Sequence, residues 1–186
     1  MNRLKSRYLL FLLVNVLLLH SCVSDVDFEQ AENIVPTPTL ESSLIFSSLE
    51  APNFIDDTTQ QERLVVTDTT RLEYINSDFF VDQLAKTNLT FQFTNSLNRD
   101  FSIDFVFVND SNEQRYSAHV DVQAGQPNIP IQVTSNFLIE EPDLSIYEEA
   151  TTLIYRITLP PTSNPIEASN LGVLKLESKA TFYFEL

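Results

Sequence analysis

The sequence has little of the residues that usually build chemical sites. Its 186 residues include one cysteine, two glycines, two histidines and no tryptophan. One cysteine excludes an intramolecular disulfide, and a zinc site of histidine and cysteine ligands lacks ligands. Two glycines, Gly125 and Gly172, exclude a glycine-rich phosphate-binding loop. No Gly-x-Ser-x-Gly nucleophile elbow is present. We therefore expect no catalytic residues, no metal ligands and no cofactor.

Basic residues are also scarce. Eleven lysines and arginines stand against 26 acidic residues, which gives a formal net charge of −15. Residues 1–21 hold three of the basic residues and none of the acidic ones, so the remaining 165 residues carry eight basic and 26 acidic residues, a net charge of −18. Phosphate backbones and anionic headgroups repel such a domain, which excludes nucleic-acid binding. An acidic surface binds cations in some proteins and only keeps an exported domain soluble in others.

The longest apolar run is too short to span a membrane. Residues 8–19 form a run of twelve, whereas a spanning helix needs about 20. Basic residues precede the run, and Leu19-His20-Ser21-Cys22 ends it. This arrangement resembles a bacterial lipoprotein signal peptide ending in a lipobox. The resemblance implies a signal helix within residues 1–21, cleavage before Cys22, and membrane anchoring by palmitate-type acyl chains on Cys22. The alternative is an ordinary secretory signal with an incidental cysteine.

A second signal follows the cysteine. The stretch from Ser24 to Glu29 resembles the surface-export signal of Bacteroidota-type lipoproteins, in which a serine and several acids, often with Phe-Glu, follow the lipidated residue. Its signal residues here are Ser24, Asp25, Asp27, Phe28 and Glu29. The resemblance implies display on the outside of the outer membrane. Alternatively, residues 22–39 are only an acidic, proline-containing tether, and the domain of residues 40–186 faces the periplasm.

Composition and periodicity predict a mainly β domain. Fourteen phenylalanines, six tyrosines and many β-branched residues fit pleated, half-buried surfaces. About eight short strands with polar turns, and one or two short helices, indicate an antiparallel β-sandwich of the Ig-like or a related Greek-key type. A small β-barrel is the alternative. The alternation is clearest over residues 88–122, where it predicts a meander of three consecutive strands.

Weaker patterns predict the remaining elements. Leu44 and Phe46 alternate with serines, which indicates a strand from Leu40 onward. The segment around Asp68 reads as a turn between two short strands. One or two helical turns are expected over residues 77–86. A second helical piece is expected over residues 144–150, with Asp143 as its cap and Glu148 and Glu149 on its solvent side.

Few residues are candidates for catalysis or metal binding, and none of them matches a specific motif. His119 lies opposite the core residues of its strand, which predicts a solvent-facing histidine, and a Ser-His-Asp triad around it stays open. Any two neighbouring carboxylates could act as a glycosidase pair, but among 26 acids such proximity carries no specificity. Some pairs of acids in loops could bind calcium, although solvated turns are the favoured explanation. These pairs are Asp56 with Asp57, Asp110 with Glu113, and Glu140 and Glu141 with Asp143.

Two further features concern the surface. Asp57-Thr58-Thr59 and Asp68-Thr69-Thr70 resemble the O-glycosylation sites of exported Bacteroidota-type proteins, which implies sugars on Thr58 and Thr69. Three aromatic side chains lie off the core parity and are candidates for contact with a sugar or protein, with sheet packing as the alternative. They are Tyr147, Tyr155 and Tyr183.

Three segments together resemble a group of small uncharacterised Bacteroidota-type outer-membrane lipoproteins: CVSDVDFEQAENIV, FTNSLNRDFSIDFVF and LKLESKATFYFEL. The resemblance implies a β-rich lipoprotein and supplies no activity. We therefore expect a surface-exposed, non-catalytic module that binds or scaffolds an unknown protein or glycan. The alternatives are a carboxylate-based hydrolase acting on glycan or peptide, and a periplasm-facing structural lipoprotein.

Overall fold

A computed structural model of the chain describes residues 37–72, 77–162 and 164–185. In chain order the elements are β1 (Thr39–Glu50), a 3-10 helix (Ala51–Phe54), β2 (Val65–Arg71), α1 (Asp78–Gln83), β3 (Leu84–Asn95), β4 (Phe101–Val108), β5 (Gln114–Val122), β6 (Ile131–Ile139), α2 (Asp143–Tyr147), β7 (Thr152–Thr158) and β8 (Val173–Phe184). Within these described ranges, no helix is long and apolar enough to cross a membrane.

The strands form two four-stranded antiparallel sheets, which confirms the predicted mainly β sandwich. The first sheet has the order β1-β8-β3-β6, and the second has the order β2-β7-β4-β5. This order is that of a jelly roll, the eight-stranded double Greek-key sandwich. An Ig-like domain of the constant type distributes four and three strands instead. The fold is thus the Greek-key relative rather than the Ig-like form.

The predicted meander is wrong in one respect. β4 and β5 form a hairpin, but β3 belongs to the opposite sheet and pairs with β6 and β8. Alternation shows that one face of a strand is buried, and it does not say which strand lies beside it. Here residues 96–100 carry the chain from one sheet to the other, so the apolar rows of β3 and β4 meet face to face.

The core lies between these two rows and follows the predicted parity. The rings of Phe91 on β3 and Phe105 on β4 stack with centroids 3.8 Å apart. Phe93, Phe101 and Phe107 are also completely or almost completely buried. Each buried phenylalanine contributes roughly 1.5–3 kcal/mol, which fixes the register of both strands.

Three local predictions need correction. The segment around Asp68 is not a turn, because β2 runs without a break through residues 65–71. The N-cap of α2 is Pro142 rather than Asp143. Glu148 is buried rather than solvated, whereas Glu149 is exposed as expected. For the cap of α2 and for Glu148, the reason is that α2 packs against β5. These tertiary contacts outweigh the preferences of the local sequence.

Both glycines pack against the end of β3. A Cβ atom added at Gly125 would lie 1.9 Å from the carbonyl oxygen of Asn95, and one added at Gly172 would lie 2.3 Å from that of Ser96. Gly172 also has a φ of +124°, which strongly favours glycine. The Asn95 side chain is completely buried and hydrogen-bonds Arg99, Gln123 and Leu97 main-chain groups. The glycines thus let two loops close onto the sheet crossing.

Candidate functional site

The outer face of the first sheet presents rows of polar side chains that run across the strands. One row is Phe46–Glu177–Gln92–Thr134, and the next is Ser43–Lys179–Thr90–Asn136. Neighbouring strands place successive side chains of a row about 4.8 Å apart. We call this surface the lysine face, because Lys86, Lys175 and Lys179 lie on it, on β3 and β8.

Charge is distributed unevenly around the domain. Lys86, Lys175 and Lys179 are the only lysines after residue 21. Three acids lie in the same or adjacent rows of this face: Glu41, Glu50 and Glu177. Three arginines elsewhere are held in ion pairs with nearby carboxylates: Arg63, Arg99 and Arg115. The lysine face is therefore close to neutral on a strongly acidic chain.

A β-bulge in β1 turns the aromatic ring of Phe46 outward onto this face. Between Ser43 and Phe46, β1 has one more residue than the paired stretch of β8. The Ser178 hydroxyl accepts a hydrogen bond from the Ile45 amide at 2.9 Å and donates one to the Ile45 carbonyl at 3.2 Å. The extra residue reverses the parity, so Leu44 packs against the core while Phe46 is 73% exposed. The regular alternation of Leu44 and Phe46 with serines therefore does not continue through the bulge.

Phe46 lies in the same row as a shallow depression at the centre of the lysine face. The depression has a volume of about 290 Å³ and is lined by Thr90, Gln92, Glu177 and Lys179, with Ser178. Lys179 donates to Glu41 at 2.7 Å, and this hydrogen bond is the main cause that lowers the Glu41 pKa. Among the described residues, no side chain hydrogen-bonds the Gln92 amide or the Glu177 carboxylate, so both are available to a ligand.

A larger groove lies beside the edge strands β1 and β2. Its volume is about 460 Å³, and its lining is mostly apolar, from Leu40, Leu44, Leu72, Phe80 and Phe182. Glu41 and Arg71 are the ionisable groups among its described lining residues. The groove therefore offers apolar contact without a pair of groups that could exchange protons with a substrate.

His119 is exposed on the outer surface of the second sheet, as predicted. Its Nδ1 lies 2.7 Å from an Asp104 carboxylate oxygen, and its Nε2 lies 3.1 Å from Asp121 and 3.5 Å from the Ser102 hydroxyl. The hydrogen bond with Asp104 is the main cause that raises the His119 pKa, and Asp121 adds to it. Protonation is favoured because both ring nitrogens face carboxylates, an arrangement that opposes a general base.

Two of the acids named from the sequence, Asp56 and Glu113, are engaged in local contacts. Asp56 accepts hydrogen bonds from the main-chain amides of Thr58 and Thr59, and the Thr59 amide is the main cause that lowers its pKa. Glu113 pairs with Arg115. Within residues 37–72, 77–162 and 164–185, no group of three or more His, Cys, Asp or Glu side chains is arranged to hold a metal ion.

The predicted lipidation and export residues lie outside the described part of the chain: Cys22, Ser24, Asp25, Asp27, Phe28 and Glu29. Thr58 is exposed in a turn, whereas Thr69 is exposed within β2 rather than in a loop. Tyr147 and Tyr155 are buried in the core, which rules out the surface contact considered for them. Tyr183 is half-buried on the lysine face, with the Lys86 ammonium 5.2 Å from its ring centre.

The lysine face was not predicted from the sequence, although the polar positions that form part of it are visible there. Thr90, Gln92 and Thr94 occupy the polar positions of the alternating β3 pattern. Alternation assigns such positions to solvent and cannot show that they adjoin Lys175 and Lys179. Only the pairing of β3 with β8 brings them together.

Comparisons with known proteins identify no family for this chain. No protein-family model matches the chain, and no curated protein matches it. A protein of Parabacteroides distasonis assigned as secreted is 14% identical with a TM-score of 0.47, over 63% of this chain and 37% of that one. The infectious bursal disease virus VP2 subviral particle is 8% identical with a TM-score of 0.47, over 80% of this chain and 33% of that one. This chain thus spans about a third of their lengths, and similarity at this level does not indicate what it binds.

Proposed function

We propose that this protein is a lipid-anchored, surface-exposed module of a bacterial outer membrane that binds a protein or glycan partner without catalysing a reaction. The lysine face carries the proposal. It joins an exposed aromatic ring, the Gln92 amide and the Glu177 carboxylate, neither of which hydrogen-bonds another described side chain, and near-neutral charge on an otherwise acidic domain. Such a face supports contact with a partner, whereas the rest of the acidic surface keeps the domain soluble.

The location in this proposal rests on the sequence. The lipobox-like ending at Cys22 supports acylation, and the stretch from Ser24 to Glu29 supports display on the outside. Thr58, exposed in its turn, is accessible to a glycosyltransferase, and Thr69 is exposed on edge strand β2. The mass of the mature protein, compared with that of Thr58→Ala and Thr69→Ala variants, tests both sugars.

The hydrolase alternative finds less support in the geometry. The arrangement nearest to a catalytic triad is Ser102, His119 and Asp104, but Asp121 competes with Ser102 for the same ring nitrogen. His119 is also half exposed on an open sheet surface. These features favour binding over catalysis.

Protease accessibility on intact cells tests the location. We expect the wild-type domain to be degraded by added protease, and a variant with Asp25, Asp27 and Glu29 all changed to Ala to be protected. Disrupted cells provide the control, since both proteins should then be degraded. Protection of the wild-type domain in intact cells would favour the periplasm-facing structural lipoprotein instead.

A further inference from the structure

We infer that the lysine face is a polysaccharide-binding surface, with a sugar subsite formed by Phe46, Gln92, Glu177 and Lys179. This inference rests on the proposed binding function and specifies its ligand. Phe46 and Glu177 are adjacent in one row with Gln92, and Lys179 and Glu177 are two residues apart on β8, so their side chains share one face. Gln92, Glu177 and Lys179 line the central depression, and Phe46 lies opposite Glu177 on the neighbouring strand β1.

The chemistry of these four groups suits a sugar ring. A pyranose has one apolar face of C–H groups and a rim of hydroxyl groups. The exposed ring of Phe46 offers a flat apolar platform. The Gln92 amide donates and accepts hydrogen bonds, the Glu177 carboxylate accepts them, and the Lys179 ammonium donates them. A sugar hydroxyl group could therefore act both as donor and as acceptor at this site.

Hydrogen-bonding capacity at this site is largely unused. Neither Gln92 nor Glu177 hydrogen-bonds another described side chain, and the Lys179 ammonium uses one of its three donors on Glu41. Thr90 instead donates to Asn136 at 2.8 Å, which holds the floor of the depression in place. A ligand hydroxyl would therefore form hydrogen bonds without breaking existing ones between protein groups.

The composition of the lysine face distinguishes a glycan from a protein partner. The buried centre of a protein–protein interface is rich in aromatic residues, methionine and arginine, and poor in lysine, glutamate and serine. The centre of this face has the opposite character, with Thr90, Gln92, Glu177 and Lys179. Its most exposed aromatic group, Phe46, lies on the edge strand β1 rather than at the centre.

The dimensions favour a polymer over a single sugar. β8 has twelve residues and so extends for roughly 40 Å. Lys175 and Tyr183 lie on the same side of β8 as Lys179, one on either side of the central subsite. A polysaccharide laid along β8 would meet the central subsite and further polar groups at both ends.

A glycan array tests this inference with the mature lipidated protein in detergent. The array carries bacterial, plant and mucosal polysaccharides, and binding is then measured for the best of them. We expect the wild type to bind at least one polysaccharide, and Phe46→Ala and Gln92→Ala each to weaken that binding about tenfold. The matched control is Leu171→Ala, which removes a side chain of similar exposure (76%) from a loop away from this face and should bind like the wild type.

Three results separate the inference from the proposed function. Wild-type protein that binds no polysaccharide on the array would overturn the inference, as would undiminished binding by both variants. If a protein is instead crosslinked to the lysine face on cells, the inference fails while the proposed binding function stands. If the face contacts nothing on cells and binds nothing on the array, both fail.

Discussion

Glu62 and Arg99 form an ion pair that is almost completely buried. The guanidinium donates to both carboxylate oxygens at 3.0 Å, and the Ile166 amide donates to the same carboxylate at 2.7 Å. Burial alone would raise the Glu62 pKa, but the hydrogen bonds from Arg99 and Ile166 outweigh it and lower the pKa. The pair ties the loop after the 3-10 helix and the loop before β8 to the sheet crossing.

Removing one partner of this pair should be costly. We expect Arg99→Ala to lower the free energy of unfolding by about 3–5 kcal/mol, because Glu62 would keep a buried charge without compensation. Arg63→Ala is the control, since its ion pairs with Asp56 and Asp57 are exposed and contribute about 0–1 kcal/mol. Urea denaturation measures both. Equal losses in the two variants would contradict the role assigned to the buried pair.

Glu148 is a buried carboxyl group without a cationic partner among the described residues. Burial raises its pKa to about 7, and the charge of Glu141 adds to the effect. In the unfolded chain the group ionises near pH 4.5, so between pH 4.5 and 7 the folded state binds the extra proton. Stability is therefore expected to fall as pH rises through this interval.

We expect Glu148→Gln to remove this pH dependence. At pH 8 the variant should be more stable than the wild type by roughly 1–3 kcal/mol, because the wild type must bury a charge. At pH 4 the two should be nearly equal. Denaturation curves at both pH values provide the measurement, with exposed Glu140→Gln as the control. A constant difference between Glu148→Gln and wild type across this range would contradict the account.

At the scale of the elements, the sheet crossing at the end of β3 organises the fold. The crossing residues 96–100 carry the chain between the sheets, and the loops that contain Gly125 and Gly172 close onto it. The Gly125 amide donates to the Leu97 carbonyl at 2.8 Å, and the Ser96 amide donates to the Val173 carbonyl at 2.9 Å. The chain thus uses its two glycines where two main chains must approach closely.

Substitution at either glycine should disturb this crossing. We expect Gly125→Ala to lower the free energy of unfolding by at least about 3 kcal/mol, since the added methyl group overlaps the main chain of Asn95. Gly172→Ala should be similarly harmful because of its positive φ. Ser169→Ala, in an exposed part of the same loop as Gly172, should change stability by less than about 0.5 kcal/mol. Thermal unfolding compares the three, and a wild-type melting temperature for Gly125→Ala would contradict this explanation.

The sequence predicts some of these elements well and others poorly. The alternating rows of β3 and β4 and the position of the β4–β5 turn follow from local pattern. The pairing of β3 with β8 depends on contacts about 90 residues apart in sequence, which a local pattern does not contain. The bulge in β1 is bonded by the Ser178 hydroxyl, which is 133 residues from Ile45 in sequence. The exposure of Phe46 therefore could not be predicted from the local pattern either.

At the scale of the whole molecule, the two sheets present different outer surfaces. The first sheet presents the lysine face, with Phe46 and the central depression. The second sheet presents Arg156, Asp104 and His119 in one row, with both carboxylates near His119 engaged by its ring. The unused hydrogen-bonding groups and the exposed aromatic ring thus lie together on the first sheet, which is the side that we propose for binding.

Photo-crosslinking on living cells tests this central claim most directly. Benzoylphenylalanine replaces Phe46 on the lysine face in one strain and Ser117, an exposed residue of the second sheet, in another. After irradiation we predict a crosslinked species of lower gel mobility from position 46 and none from position 117. Equal crosslinking at both positions, or none at position 46, would contradict the account.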